Sequence, residues 1–190
     1  METKERIIHL LESTNRPGMD KLIKVMEEGG FFTAPCSGGY HLAKEGGLAE
    51  HSLNVLNVAA DISRVLSKRG KLSLDAENKL IIVCLLHDLG KMGQYGKSNY
   101  IKNTLKSGKQ STKQPYKTNP DLMYVDHEVR SIVIAQQYIE LTEEEQQAIL
   151  WHNGLYGNFR YQIQGKETTL YLILHFADMW ASRVLESEAL

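Results

Sequence analysis

The sequence lacks the features that would place the protein outside the cell or within a membrane. It has two cysteines among 190 residues, too few for a disulfide framework or a four-cysteine zinc site. Its longest wholly apolar run, residues 80–86, is far shorter than the roughly 20 residues of a membrane-spanning helix. The apolar stretch at residues 7–11 is too short for a signal peptide. We therefore expect a cytoplasmic protein with no membrane partner.

A strong net charge is also absent, but the near-neutral total conceals an uneven distribution. The net charge is −1 with the histidines neutral. Residues 91–120 carry seven lysines and no acidic residue, so the rest of the chain carries −8. This segment has no helical periodicity and is dominated by Gly, Ser, Asn, Thr and Gln, with three tyrosines interspersed. It is predicted to be a basic loop or hairpin inserted into an acidic domain.

The remaining sequence has the apolar spacing of helices and predicts an all-α fold of six or seven helices in one domain, residues 1–190. Thr142 and Glu145 form a capping-box pattern that opens one of them. Residues 157–165 alternate in polarity and predict a short hairpin or a loop. The predicted helices cover residues 4–11, 19–28, 48–68, a segment from Ser73 or Asp75 to Leu89, residues 126–140, Thr142 to His152, and 169–186.

Several polar residues occupy positions where a helix would bury them. His87 and Asp88 directly follow the apolar run, and Asp178 lies inside an apolar helix. Burying an unpaired carboxylate is costly, so a metal ion or a positive partner is the economical explanation. Neutral imidazole and carboxylate are the usual ligands of borderline divalent metals. Because adjacent helical residues point about 100° apart, His87 and Asp88 can share an ion only at their common edge or if the helix end distorts.

Three segments, taken in order, resemble the H…HD…D signature of HD-domain phosphohydrolases. They are GGLAEHSL at residues 46–53, LLHDLGK at 85–91 and HFAD at 175–178. The GGLxEHS form is similar to HD domains attached to some bacterial exoribonucleases and to stand-alone HD proteins of bacteria and phages. The resemblance covers roughly residues 40–185. It implies an HD-domain helical bundle that binds metal through His51, His87, Asp88 and Asp178.

The resemblance also implies a division of the chain and further site residues. Residues 1–39 would form N-terminal helices and a loop, and residues 40–190 the HD core, with the insertion at 91–121. His127 and His152 look like ligands of a second metal bridged by Asp88; the alternative is a substrate-facing pair beside one metal. His175 is expected to pack or to support the site.

Catalytic and substrate-binding roles follow from the same resemblance. Asp88 would orient or deprotonate the attacking water. Lys91 would face the substrate phosphate, unless it is a solvated lysine after a helix end. His41 would line the mouth of the site, unless it is an ordinary loop histidine.

The implied function is that of a metal-dependent phosphohydrolase acting on a nucleotide or related anionic small molecule. One or two divalent ions of the Fe, Mn, Ni, Co or Zn class are expected, with Mg²⁺ as a further candidate. The basic insertion, as a flap with stacking tyrosines, also admits a nuclease or phosphodiesterase on single-stranded RNA or DNA. A di-iron oxygenase using all six ligands and a non-catalytic regulatory module remain as alternatives.

Overall fold

The computed structural model describes residues 2–70, 76–154 and 160–187, and its described part is mostly helical, as the sequence predicts. The helices are α1 Thr3–Ser13, α2 Met19–Glu28, α3 Gly47–Lys68, α4 Ala76–Leu86, α5 His127–Gln136, α6 Glu143–Trp151, α7 Arg160–Ile163 and α8 Thr169–Trp180. A 3-10 turn, Leu89–Met92, follows α4, and a π-helical turn, Ala181–Leu185, follows α8. No helix in these ranges combines the length and apolar character that crossing a bilayer requires.

The single turn α7 corrects one prediction. The alternating pattern of residues 157–165 suggested a hairpin or a loop, but Arg160–Ile163 is helical. Ile163 is buried at its end, so the apolar position serves the core. Residues 157–159 lie outside the described residues, as do the two candidate caps of α4, Ser73 and Asp75.

The core is built around α3, α4 and α8. Helix α3 packs against both of the others, and α6 packs against α8. Every residue of the run 80–86 on α4 is buried. Each large apolar side chain buried in this way stabilises the fold by roughly 1.5–3 kcal/mol. His87 and Asp88, which follow α4, are therefore attached to a helix that is held firmly in the core.

Helix α4 ends at Leu86, before the HD pair, whereas the sequence pattern suggested an end at Leu89. The backbone of Asp88 leaves helical geometry, with φ −102° and ψ 12°. The Lys91 amide then donates to the Asp88 carbonyl at 2.8 Å, which closes the 3-10 turn. The helix end is therefore distorted at Asp88. Such a distortion is one of the two ways in which His87 and Asp88 could share an ion.

Gly90 allows the 3-10 turn to lie directly against α5. A Cβ atom at this position would lie 2.4 Å from the carbonyl oxygen of His127, far inside van der Waals contact. The Gly90 amide also donates to Ser131 Oγ at 2.8 Å. The missing side chain therefore brings the start of α5, with His127, next to Asp88.

The insertion forms a hairpin, one of the two structures predicted for it. Strands β1 Tyr100–Lys102 and β2 Tyr116–Thr118 pair antiparallel, with Ile101 opposite Lys117. The hairpin packs on the loop that precedes α3, because the Tyr116 amide donates to the Gly38 carbonyl at 3.0 Å. The insertion therefore contacts the rest of the protein in its middle as well as at its two ends.

Candidate metal centre

Side chains from five separate parts of the fold converge on Asp88. His51 comes from the start of α3, and His87 and Asp88 follow α4. His127 is the first residue of α5, His152 directly follows α6, and Asp178 lies on α8. The structure therefore brings together all six residues that the resemblance named as ligands.

The two carboxylate oxygens of Asp88 divide the four histidines into pairs. Oδ2 lies 3.6 Å from His51 Nε2 and 3.4 Å from His87 Nε2. Oδ1 lies 3.2 Å from His127 Nε2 and 3.5 Å from His152 Nε2. We call the first pair, together with Asp178, the first cluster; Asp178 Oδ1 is 3.2 Å from His51 Nε2. The second pair is the second cluster, and Asp88 lies between the two.

Backbone carbonyl groups orient one histidine in each cluster. His87 Nδ1 donates to the Cys84 carbonyl at 2.9 Å, and His152 Nδ1 donates to the Ile149 carbonyl at 2.7 Å. A carbonyl oxygen only accepts, so each Nδ1 must carry the proton. The lone pair of a neutral ring is then on Nε2, the atom that faces Asp88.

Carboxylate groups orient the other two histidines, His51 and His127. His51 Nδ1 lies 2.9 Å from Glu186 Oε2, and His127 Nδ1 lies 3.2 Å from Glu128 Oε2. Asn153 donates to the other oxygen of Glu128 and so holds that carboxylate in place. All four rings consequently present Nε2 to Asp88, the arrangement in which protein carboxylates and carbonyls support metal-bound imidazoles.

Buried polar atoms in the centre lack partners of the protein's own. His87 Nε2 and Asp88 Oδ1 have no hydrogen bond within the described part of the chain, although both residues are at most 1% exposed. An unsatisfied buried polar atom costs about 1–3 kcal/mol. Carboxylate oxygens and imidazole lone pairs are all acceptors, so a positive charge, a proton or an ion, is needed between them. This donor set fits a divalent transition metal.

The electrostatics keep the carboxylates ionised. Burial alone would raise the pKa of Asp88, but the Lys91 ammonium and the surrounding imidazoles outweigh it and hold that pKa well below its ordinary value. The pKa of Asp178 is lowered for a similar reason, since His51 outweighs the effect of burial. Burial lowers the pKa of His87, which favours the neutral form that binds metals.

A comparison with known families agrees with this geometry. The HD domain family model matches residues 48–179, more than two thirds of the chain, and the match includes all six candidate ligands. The chain belongs to the HD domain family. Members of this family are mostly metal-dependent phosphohydrolases. No curated protein and no solved structure matches the chain significantly.

A cavity of about 1090 Å³ opens onto the two clusters around Asp88, which together we call the HD centre. Its wall includes His152 and Asp178 from the centre and Lys91 beside it. Lys113 reaches it from the insertion, and His41 from the loop before α3. The cavity is large enough for a nucleotide-sized ligand, since small-molecule sites span roughly 300–1000 Å³.

Lys91 and His41 lie at the boundary between the HD centre and this cavity. Lys91 Nζ is 2.6 Å from Asp88 Oδ2, and its side chain is 15% exposed. Burial would lower the pKa of Lys91, but the Asp88 carboxylate and the other acidic groups nearby together have the larger opposite effect and raise that pKa, so the ammonium stays charged. His41 Nε2 is 3.2 Å from the buried Cys36 thiol. Burial, the main cause, lowers the pKa of His41 to about 4.

Sequence reasoning missed the residues that orient the ligands. Glu128 follows His127 directly, and its place in the acidic first turn of α5 gave no sign of a specific role. Glu186 was only the end of a predicted helix. His175 takes the supporting place expected of it: its Nδ1 donates to the His152 carbonyl at 2.9 Å. Neither carboxylate belongs to the HD motif, so a comparison of motifs alone would not find them.

Proposed function

We propose that this HD protein is a metal-dependent phosphohydrolase that uses two divalent ions to cleave a phosphoester of a nucleotide or a related anionic substrate. The observation that carries the proposal is the position of Asp88. Its two oxygens face two separate pairs of Nε2 atoms, at the edge of a cavity whose wall includes Lys91 and Lys113.

The first cluster would hold one ion through His51, His87, Asp178 and Asp88 Oδ2. The second cluster would hold another through His127, His152 and Asp88 Oδ1. Sites rich in imidazole suit ions of the Fe, Mn, Co, Ni and Zn class better than Mg²⁺, which prefers oxygen ligands and water. When bound, such ions lower the pKa of water toward neutrality and neutralise charge on phosphoryl oxygens.

The chain's own residues supply orientation and charge. In the proposed reaction Asp88 accepts a hydrogen bond from the attacking water and so orients it toward the phosphorus atom. Lys91 neutralises charge on a phosphoryl oxygen, since its ammonium lies beside the centre and on the cavity wall. Lys113 and His41, farther along that wall, would contact the rest of the substrate.

The surface of the insertion favours a second candidate, a nuclease or phosphodiesterase acting on single-stranded RNA or DNA. Tyr95 is 80% exposed and could stack on a base. Six of the seven insertion lysines are exposed and would attract a nucleic-acid backbone. These are Lys97, Lys102, Lys106, Lys109, Lys113 and Lys117.

The experiment that tests the proposal joins metal analysis to a substrate panel. Protein purified without added metal is assayed for metal content, then for phosphate release from mononucleotides and for cleavage of end-labelled single-stranded oligonucleotides. Two divalent ions per chain with metal-dependent phosphate release are expected. Cleavage of oligonucleotides alone would favour the second candidate. Two irons with oxygen uptake and no hydrolysis would overturn the proposal in favour of an oxygenase.

A further inference from the structure

Glu186 lies outside the segment that matches the HD family model, which ends at residue 179. It directly follows the π-helical turn Ala181–Leu185, and its amide donates to the Ala181 carbonyl at 3.0 Å. Such wide turns occur frequently at functional sites in helices. Here the turn carries the chain from α8 back to α3 and delivers a carboxylate to the first cluster.

The Glu186 carboxylate is held by two side chains of α3. Its oxygens lie 2.9 and 3.1 Å from His51 Nδ1. Asn54 Nδ2 donates to Oε1 at 3.0 Å. Only 2% of the Glu186 side chain is exposed, and a carboxylate buried to that degree needs such partners.

The opposite edge of the His51 ring, at Nε2, faces the carboxylates of the candidate metal centre. His51 Nε2 lies 3.2 Å from Asp178 Oδ1 and 3.6 Å from Asp88 Oδ2. A negative acceptor at Nδ1 keeps the proton on that nitrogen and raises the basicity of Nε2. Because the second cluster receives its own carboxylate from Glu128, the contact of Glu186 is specific to the first cluster.

We propose that Glu186 is a positioning residue that fixes the tautomer of His51 and thereby sets the affinity of the first cluster for its ion. This inference rests on the proposed two-ion centre. It makes the turn after α8, beyond the family's matched segment, part of the metal site. Groups that support a ligand in this way change metal affinity by about 10–100-fold when they are removed.

Metal affinity, ion by ion, tests the inference without any reference to turnover. Chelator competition with Co²⁺ gives the dissociation constants of the full-length protein, and visible absorption of Co²⁺ reports the ligand set. In Glu186→Ala one of the two ions should bind about 10–100-fold more weakly. Glu186→Gln keeps an oxygen acceptor but loses the charge, so its loss should be smaller.

Two matched variants identify which ion is affected. His51→Ala should lose the same ion that Glu186→Ala weakens. Glu128→Gln should weaken the other ion and leave that one unchanged, because it acts through His127. Thermal unfolding of the metal-free variants shows whether each still folds, and Glu186→Gln provides the affinity data if Glu186→Ala does not.

Two results would overturn the assignment alone. The first is a wild type that binds two ions while both Glu186 variants keep both affinities within about twofold. The second is an equal weakening of both ions together with a lower melting temperature, as expected for a clamp between the turn and α3. A wild-type protein that binds no divalent ion would instead overturn the proposed centre and this assignment together.

Discussion

The metal centre and the hairpin insertion place their charges in opposite environments. In the centre, His51, His87, Asp88 and His152 are almost fully buried and face one another. In the insertion, six of seven lysines are exposed to solvent. Interactions between exposed charges are screened by salt within about 8–10 Å, whereas buried ones are screened much less. The buried groups of the centre are therefore suited to holding an ion, while the exposed insertion lysines that do not line the cavity would affect mainly how an anionic substrate arrives.

Lys91 connects the two regions. By sequence it is the first lysine of the basic insertion, but its ammonium forms an ion pair with Asp88 inside the centre. The other six insertion lysines are exposed to solvent. Substitutions in the two regions should therefore change different properties of the protein.

Replacing Asp88 with Asn should have the largest effect. The variant keeps the shape of the side chain but loses the charge that both clusters share. We expect loss of tightly bound metal and a fall in hydrolysis of roughly 1000-fold or more, measured by metal analysis and phosphate release. Asp61→Asn is the matched control, because Asp61 is an exposed aspartate of α3 and should change neither quantity. Metal-dependent turnover that survives in Asp88→Asn would place the chemistry elsewhere.

Replacing Gly90 with Ala should affect both stability and ion binding. The new Cβ would meet the His127 carbonyl, so α5 must shift, at a cost of about 1–3 kcal/mol in the free energy of unfolding. Ion binding by the second cluster should weaken with it. Gly96→Ala is the control, since a Cβ there meets no atom within 4 Å, although its φ of +71° still costs some stability. Unchanged ion binding in Gly90→Ala would show that close packing at this turn does not set the position of His127.

Ion binding should become tighter as the pH rises. Burial alone would lower the pKa of His51 and His152, but the acidic groups beside them outweigh it and raise both above 6.5. These groups are Cys36, Asp178 and Glu186 for His51, and chiefly Asp88 for His152. In the metal-free protein a proton therefore occupies the place of the ion, and its stabilising contribution is lost as the pH rises through the raised pKa. An ion must displace these protons, so calorimetry in buffers of different ionisation enthalpy should detect proton release. Affinity that is constant above pH 6.5 would contradict this account.

Replacing the exposed insertion lysines with Ser should have the smallest effect. With Lys91, Lys97 and Lys113 retained, the change removes distant charges only, so KM should rise a few-fold and kcat should stay the same. The rise in KM should disappear at high salt, where screening already suppresses the attraction. A fall in kcat at constant KM would indicate instead that the hairpin takes part in the chemistry. The lysines to be replaced are Lys102, Lys106, Lys109 and Lys117.

The candidate ligands could be selected from the sequence because buried polar residues are conspicuous. Asp88 and Asp178 stand out as charges in apolar surroundings, and the ordered motif supplied His51 and His87. The all-α fold followed from apolar periodicity, and the capping box at Thr142 is present, with Glu145 Oε2 accepting from the Thr142 amide at 2.8 Å. Features that depend on local periodicity or on the cost of burial can be predicted from the sequence alone.

The features that sequence reasoning missed depend on the path of the chain in space. Glu186 reaches His51 only because a π-helical turn redirects the backbone, and 135 residues separate the two. The close packing of the 3-10 turn against α5 is a contact between distant parts of the chain that Gly90 permits. Neither contact leaves a periodic pattern, and glutamates are common on exposed helix ends, so nothing distinguished Glu186 from a solvated residue.

Anomalous diffraction at the absorption edge of the bound metal would test the central claim most directly. We expect two peaks per chain on opposite sides of Asp88. One should lie among His51, His87 and Asp178, and the other beside His127 and His152. A single peak in the first cluster would contradict the two-ion centre, and no peak near Asp88 would contradict the metal site itself.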